Sequence, residues 1–409
     1  MRRSVDNDAC GIDEGAVRAR IVALVFAMLG SLVPRPVQAQ GAGLVVPVPA
    51  PERVAVAADS FTNSAGLRRQ FDVYRPAGTM ASLPVVVFAN AGGPALRQWR
   101  SYVDWARLVT SRGLAGVLYE GPGYDPARSL ADNLSTSIAD LDSVLGALRH
   151  RGSTLRVDGA RVVIWAGSSQ TFTGTPVSLD GSRDAIKGYV LYYGAGTTAD
   201  PRLDVPVFIA RAGLDSPGLN RGLDSLSAQL IEAGVPVTVV NYPSGRHAFD
   251  IADSTAMSAR VIAQTLDFMS AAVDPALQSH LVATTQDVRA MRAFVAERWP
   301  EAVRLYGALA SERTRDRTVA WRLGLAQLAN DEPAAALASF NRARELGQGG
   351  ARDIGLPATR AALRSGERDK AAEWLLWAVR SFPAIRGQVA DDTELAPLLN
   401  HPLLRGGGS

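Results

Sequence analysis

Gly167-Ser168-Ser169-Gln170-Thr171 follows a run of strand-forming residues, Arg161-Val162-Val163-Ile164-Trp165-Ala166. A serine on a tight strand-to-helix turn stands above the end of a sheet, and its hydroxyl becomes a nucleophile once a base takes its proton. Such a turn needs small residues two places before and two places after the serine. Centred on Ser169, these places hold Gly167 and Thr171; centred on Ser168, they hold Ala166 and Gln170. The bulk of glutamine selects Ser169 as the expected nucleophile, with Thr171 standing where glycine is usual.

The base and its orienting acid should lie further along the chain. Of the four histidines, His150 ends a helical stretch, His280 lies between domains and His401 is near the C-terminus. His247 alone follows a strand, in Asn241-Tyr242-Pro243-Ser244-Gly245-Arg246-His247-Ala248-Phe249-Asp250. The acid should end the preceding strand, and Val207-Phe208-Ile209-Ala210-Arg211-Ala212-Gly213-Leu214-Asp215 supplies Asp215 there. Asp250 is second choice; Asp204 precedes its strand and Asp224 falls within a helix. A developing oxyanion also needs donors. The expected ones are the Gln170 N–H, after the chosen serine, and Ala91 and Gly92 in the loop Asn90-Ala91-Gly92-Gly93-Pro94. Glu120, Tyr124 and Tyr193 also follow strands on this side and are candidates to line a pocket, the alternative being ordinary packing.

These residues need a frame. From about 54 to 272 short apolar runs (84–89, 114–119, 161–166, 187–193, 206–210, 236–240) alternate with amphipathic helical stretches at about 97–112, 130–150, 218–233 and 255–272. Near-continuous apolar strands separated by helices imply an α/β domain with a mostly parallel sheet buried on both faces. Val54 to Phe61 and Arg69 to Tyr74 should add antiparallel strands at one edge. All three triad candidates then fall at carboxyl ends of strands, where open parallel sheets place active sites. The expected domain spans 54–273, after a Gly/Pro/Ala-rich flexible lead-in at 40–53.

From about 285 to 400 the chain turns alanine-rich and helical, with a repeat. Ala302, Ala336 and Ala371 are 34 and 35 residues apart; Tyr306, Phe340 and Leu375 each follow by four, and Ala343 and Ala378 follow the last two by seven. Leu323-Gly324 precedes Ala336 by twelve, and Pro383 ends the third unit. This pattern resembles the tetratricopeptide repeat, whose helix pairs pack around small residues and offer concave protein-binding surfaces. An ordinary helical bundle is the alternative. Residues 401–409 read as a flexible tail.

The 409-residue chain carries a formal charge of only +3, with acidic residues and arginines interspersed throughout, which argues against a nucleic-acid partner. Arg18 and Arg20 precede an apolar run, Ile21 to Val33, too short to span a bilayer comfortably; Pro34, Pro36 and Val37-Gln38-Ala39 follow. Residues 1–39 thus read as a signal peptide cleaved after Ala39, giving an exported protein, periplasmic or secreted, without a stable membrane anchor. Cys10, the only cysteine, lies in that segment, so the mature chain would hold no disulfide or thiolate site. Dispersed histidines and the absence of a phosphate loop imply no metal and no cofactor.

Together Asn90–Pro94, Gly167–Thr171, Arg211–Asp215 and Gly245–Asp250 resemble the dienelactone-hydrolase-like branch of the α/β-hydrolases, over roughly residues 60–272. Serine stands where dienelactone hydrolases proper have cysteine, and Asn90-Ala91 replaces their oxyanion-loop acid, so lactone chemistry is not implied. The resemblance implies a serine hydrolase of small carboxylic esters acting through Ser169, His247 and Asp215. Two alternatives stand beside it: a silent hydrolase domain attached to a protein-binding repeat module, and a serine peptidase.

Overall fold

In a computed structural model of the protein, residues 41–405 are described apart from 64, 182 and 348–350. The expected signal segment and residues 406–409 lie outside them. The chain divides into two compact units between Leu281 and Val282, a division inside a helix, Pro275–Val295, and between the expected domain ends at 273 and 285.

The first unit is built on one eight-stranded sheet of order β1-β2-β4-β3-β5-β6-β7-β8. Its strands are β1 Val54–Thr62, β2 Arg68–Pro76, β3 Leu83–Phe88, β4 Ala115–Tyr119, β5 Val157–Gly167, β6 Ile186–Tyr192, β7 Val207–Ala212 and β8 Val237–Tyr242. β1 and β2 run antiparallel to their neighbours, and the remaining pairs are parallel. Every residue of β4 is buried, as are all but one of β3 and β6. Strands covered on both faces have no solvent side, which is why their sequences do not alternate.

The covering helices are α1 Arg100–Leu108, α2 Leu130–Leu155, α3 Thr171–Leu179, α4 Pro217–Glu232 and α5 Ala256–Ala272. Three start on serine or threonine caps: Ser129, Ser216 and Thr255 accept the N–H of Asp132, Leu219 and Ser258. The strand order, the antiparallel edge pair and the helices after β3, β4, β5, β7 and β8 make this the α/β-hydrolase fold. Its centre, β3-β5-β6-β7, aims four loops toward one end of the sheet, and the site is assembled there.

Residues 41–53, the described part of the expected flexible lead-in at 40–53, are tied to the fold. The Leu44 N–H donates to Asp104 Oδ2 at 3.2 Å and the Val45 N–H to Asp250 O at 2.9 Å, while Leu44, Val45 and Val46 pack on the core. Gly43 permits the approach, since a Cβ there would stand 2.5 Å from Asp104 Oδ2. Composition marked a break in regular structure; it carried no sign of these distant partners. Likewise Pro402–Arg405 form a helical turn with Leu404 buried, so the expected tail is packed as far as it is described.

In the second unit consecutive helices pack against one another: Trp299–Glu312, Arg317–Ala329, Pro333–Glu345, Ala351–Arg364 and Arg368–Ser381. Ala302, Ala336 and Ala371 are fully buried, as are Phe340, Leu375, Ala343 and Ala378, with Tyr306 nearly so. The repeated alanines are therefore the positions where helices meet. Gly324 lies against the Phe340 ring, where a Cβ would come within 2.7 Å of Cε1. Gly355 packs on Ala378 with a corresponding 2.6 Å approach, a close contact that the repeat spacing did not reveal.

One contact tests how tightly the first unit's helices seat on the sheet. A Cβ on Gly116, in β4, would lie 2.5 Å from the Ala106 carbonyl oxygen of α1. Backbone cannot swing aside as a side chain can. Gly116→Ala is expected to cost about 1–3 kcal/mol, the range for overpacked cores, read as a lower denaturation midpoint in urea with no change in slope.

Candidate active site

β5 ends at Gly167, and Ser168 follows in the left-handed region with φ 55° before the chain turns into α3. Non-glycine residues seldom adopt that conformation unless their surroundings enforce it. Here Thr171 does so: its hydroxyl oxygen lies 2.6 Å from both Ser168 O and Ala195 O and accepts the Ala195 N–H at 3.1 Å. Thr171 is fully buried, and Gly194 makes room for it, because a Cβ on Gly194 would stand 2.4 Å from the threonine side chain. The residue that broke the expected pattern is the strap that holds the turn.

The serine that meets His247 is Ser168, not the expected Ser169. Ser168 Oγ lies 2.9 Å from His247 Nε2, and His247 Nδ1 lies 2.7 Å from Asp215 Oδ2. The size argument failed because it placed the Gln170 side chain inside the turn. That side chain instead crosses to the loop after β3, where its Oε1 accepts the Ala91 N–H at 2.7 Å. With glutamine accommodated elsewhere, the turn centred on Ser168 needs only Ala166 on its other side, and Ala166 is fully buried.

Asp215 and His247 sit on two loops zipped together by backbone. The Gly213 N–H donates to Tyr242 O at 2.8 Å, and the Leu214 N–H to Gly245 O at 2.9 Å. Gly213 is obligatory, because a Cβ there would lie 2.2 Å from Pro243 O. The Asp215 carboxylate also accepts the Ser216 N–H at 2.7 Å. An ionised carboxylate only accepts hydrogen bonds, so its contact with Nδ1 fixes the proton there and leaves Nε2 free to accept from the serine. The Asp215 side chain is buried while that of His247 is about 40% exposed, so the imidazole is open to solvent.

The expected oxyanion donors are arranged differently from the simple reading. With Ser168 at the centre of the turn, the residue after it is Ser169 rather than Gln170. The Ala91 N–H is occupied by the Gln170 carboxamide, and the Gly92 N–H donates to Asn90 Oδ1 at 2.9 Å. Asn90 is the buried organiser of this loop: its amide reaches Gly93 O at 3.0 Å and Tyr119 O at 2.7 Å, and its own N–H donates to Tyr119 Oη at 2.9 Å. Burial pushes the Tyr119 hydroxyl far above its usual range.

The expected pocket residues also require correction. Glu120 is engaged below the loop, accepting the Gln70 N–H at 2.9 Å and pairing with Arg97 at 3.4 Å. Tyr124 is exposed. Tyr193 is buried beneath the histidine rather than lining an opening. Its ring centroid lies 4.9 Å from the His247 ring, and its hydroxyl donates to Asp250 Oδ1 at 2.8 Å. Its φ of 34°, with 58° at Ala248, adds two more left-handed non-glycine residues around the same imidazole. Nothing local to Tyr193 or Ala248 in the chain signals this strain.

Asp250 does not orient the histidine, but it completes the layer below it. Trp105 Nε1–H donates to its Oδ2 at 2.8 Å, opposite the Tyr193 hydroxyl on Oδ1. Burial raises the Asp250 carboxyl above its usual range, against the lowering effect of Trp105, Tyr193 and nearby His247, and it also pushes up the Tyr193 hydroxyl. A carboxyl whose folded pKa is raised binds its proton more tightly in the native state. Its contribution to stability is therefore full below the unfolded carboxylate pKa and is lost as pH rises through the folded one. Asp250→Asn keeps an acceptor for Trp105 and offers a donor to the Tyr193 oxygen. It should flatten the fall in stability just above the ordinary carboxylate range, measured by thermal unfolding at stepped pH; an unchanged profile would remove Asp250 as its source.

No protein-family model matches the chain, and no curated protein matches it by sequence. Among solved structures it is similar to brefeldin A esterase, a bacterial homologue of human hormone sensitive lipase, with TM-score 0.47 and 14% identity, over 62% of this chain and 86% of that one. It is similar to a bacterial heroin esterase with TM-score 0.46 and 15% identity, over 64% and 92%. A match to fungal esterases from Rhizomucor miehei has TM-score 0.43 and 16% identity, over 66% and 92%.

Proposed function

We propose that the first unit is a serine hydrolase of carboxylic esters in which Ser168, His247 and Asp215 form the catalytic triad. The single observation carrying this reading is the unbroken chain of hydrogen bonds from Ser168 Oγ through both imidazole nitrogens to Asp215, at 2.9 and 2.7 Å. The left-handed turn at Ser168 supports it, since a serine needed only for packing gives no reason to hold such a conformation. The motifs that resemble the dienelactone-hydrolase-like branch are those that supply these residues.

In the proposed reaction Ser168 Oγ attacks the acyl carbon while its proton passes to His247 Nε2. Asp215 accepts the Nδ1–H and stabilises the imidazolium as it forms. The tetrahedral oxyanion is met by the Ser169 N–H, which follows the nucleophile, and by the loop after β3. The C–O bond to the alcohol breaks as Nε2 returns the proton to the leaving oxygen, giving an acyl-Ser168 ester. Water then attacks that ester, with His247 again as base, and releases the acid.

The second unit is proposed to be tetratricopeptide-like on the strength of its buried Ala302, Ala336 and Ala371 series. Export is proposed from the arginines and apolar run before Ala39.

The two adjacent serines give the sharpest test. Ser168→Ala should lower kcat for an activated short-chain ester by roughly 10⁴–10⁶-fold and abolish fluorophosphonate labelling, on the scale seen when such nucleophiles are removed. Ser169→Ala keeps its backbone N–H and should retain most activity. Full activity in Ser168→Ala would sink the assignment.

A further inference from the structure

Gln170 stands two residues after Ser168, where the turn was expected to need a small side chain, and it is only 5% exposed. Its carboxamide bridges two parts of the site. Oε1 accepts the Ala91 N–H at 2.7 Å, joining the turn after β5 to the loop after β3. The loop has closed down on this amide: a Cβ on Gly92 would lie 3.4 Å from Gln170 Nε2 and 2.9 Å from Leu96.

The two central N–H groups of the loop are satisfied in unlike ways. That of Gly92 goes to Asn90 Oδ1, two residues away, on a side chain that is itself buried and held at Gly93 O and Tyr119 O. This bond is part of the loop's own fold. The Ala91 N–H goes to a residue 79 positions away, on a long side chain with three rotatable bonds. Moreover, the acceptor is an amide carbonyl oxygen. In chemical type it copies the acyl oxygen that the loop would receive during ester hydrolysis.

Resting on the triad reading, we propose that Gln170 is a latch on the oxyanion loop, holding the Ala91 N–H until the reacting acyl oxygen displaces it. A neutral carboxamide competes on nearly even terms with the neutral carbonyl of a bound ester. It loses to the tetrahedral oxyanion, because hydrogen bonds to a charged acceptor are roughly twice as strong. The latch thus withholds one donor from the ground state and surrenders it to the transition state. That is the differential binding which raises selectivity for reactive acyl groups over passive carbonyl ligands. Its substrates would be esters whose carbonyl is activated enough to develop oxyanion charge early.

The test compares wild type, Gln170→Ala and Gln170→Glu. It uses hydrolysis of p-nitrophenyl acetate and inhibition by phenylboronic acid, which forms an anionic tetrahedral adduct with a serine nucleophile. Freeing the Ala91 N–H in Gln170→Ala should raise kcat/KM and tighten boronate inhibition, each by about tenfold, which is the worth of one exchanged hydrogen bond. Gln170→Glu puts a charged acceptor on the same N–H and should lower kcat by about 100-fold or more, the scale of losing an oxyanion donor. Equal or lower activity in Gln170→Ala, with its melting temperature retained, overturns the latch. So does wild-type-like kcat in Gln170→Glu. Fluorophosphonate labelling of wild type at Ser168 separates the two layers. Labelling without a Gln170 effect removes the latch alone, and absence of labelling removes the triad reading beneath it.

Discussion

The site depends on one backbone constraint, the left-handed conformation of Ser168 at the end of β5. An L-residue in that region costs of order 1–2 kcal/mol against the right-handed alternative. The surroundings leave it no alternative. β5 is locked between β3 and β6 in the middle of the sheet, so the strand cannot rotate to relieve the turn. Thr171 then ties the Ser168 carbonyl to Ala195, just past the end of β6, through a hydroxyl with no solvent to turn to. Gly194 is the compensating vacancy. Thr171, three residues after Ser168, is therefore an active strap, and the space for it is left by a glycine one strand away.

The rest of the site follows from where that turn puts Oγ. His247 must reach it from a loop after β8, while Asp215 must reach the far side of the imidazole from a loop after β7. Two separate loops would each contribute positional error. The backbone bonds from Gly213 and Leu214 to Tyr242 and Gly245 make them one structure, so the carboxylate and the imidazole are held together. Catalytic geometry tolerates little displacement, and rigidity of this kind is what holds a hydrogen-bonded triad within reach.

How much of this was legible follows from the range of each signal. The sheet was readable because burial on both faces leaves continuous apolar runs, and because helices separate them. Asp215 and His247 were readable because each sits just past a strand, and chain order with sheet topology does the rest. The choice between Ser168 and Ser169 was not readable by size. It turned on where the Gln170 side chain goes, and its partner at Ala91 lies on a different loop. For the same reason Glu120 and Tyr193 were misread as pocket residues: placement at a strand end is local, whereas Arg97, Asp250 and the His247 ring are distant in sequence. In the second unit the alanine spacing was legible because it is a local period. The packing of Gly355 on Ala378 was not, since Gly355 lies outside that period.

Two carboxylates flank the same imidazole, and their surroundings give them different work. Asp215 meets His247 directly through Nδ1, with Ser216 N–H on its other oxygen. Asp250 faces only neutral donors, Trp105 and Tyr193, and the Tyr193 ring stands between it and the histidine. Burial opposes its charge and raises its carboxyl, while the donors on its two oxygens act in the other direction. The same carboxylate holds the Tyr193 hydroxyl, and through it the ring on which His247 rests. Its backbone carbonyl accepts the Val45 N–H, so the segment before β1 is fastened to this layer as well. Asp250 is thus where packing, electrostatics and the chain's entry into the fold converge, which explains why a residue outside the triad is buried as deeply as the acid within it.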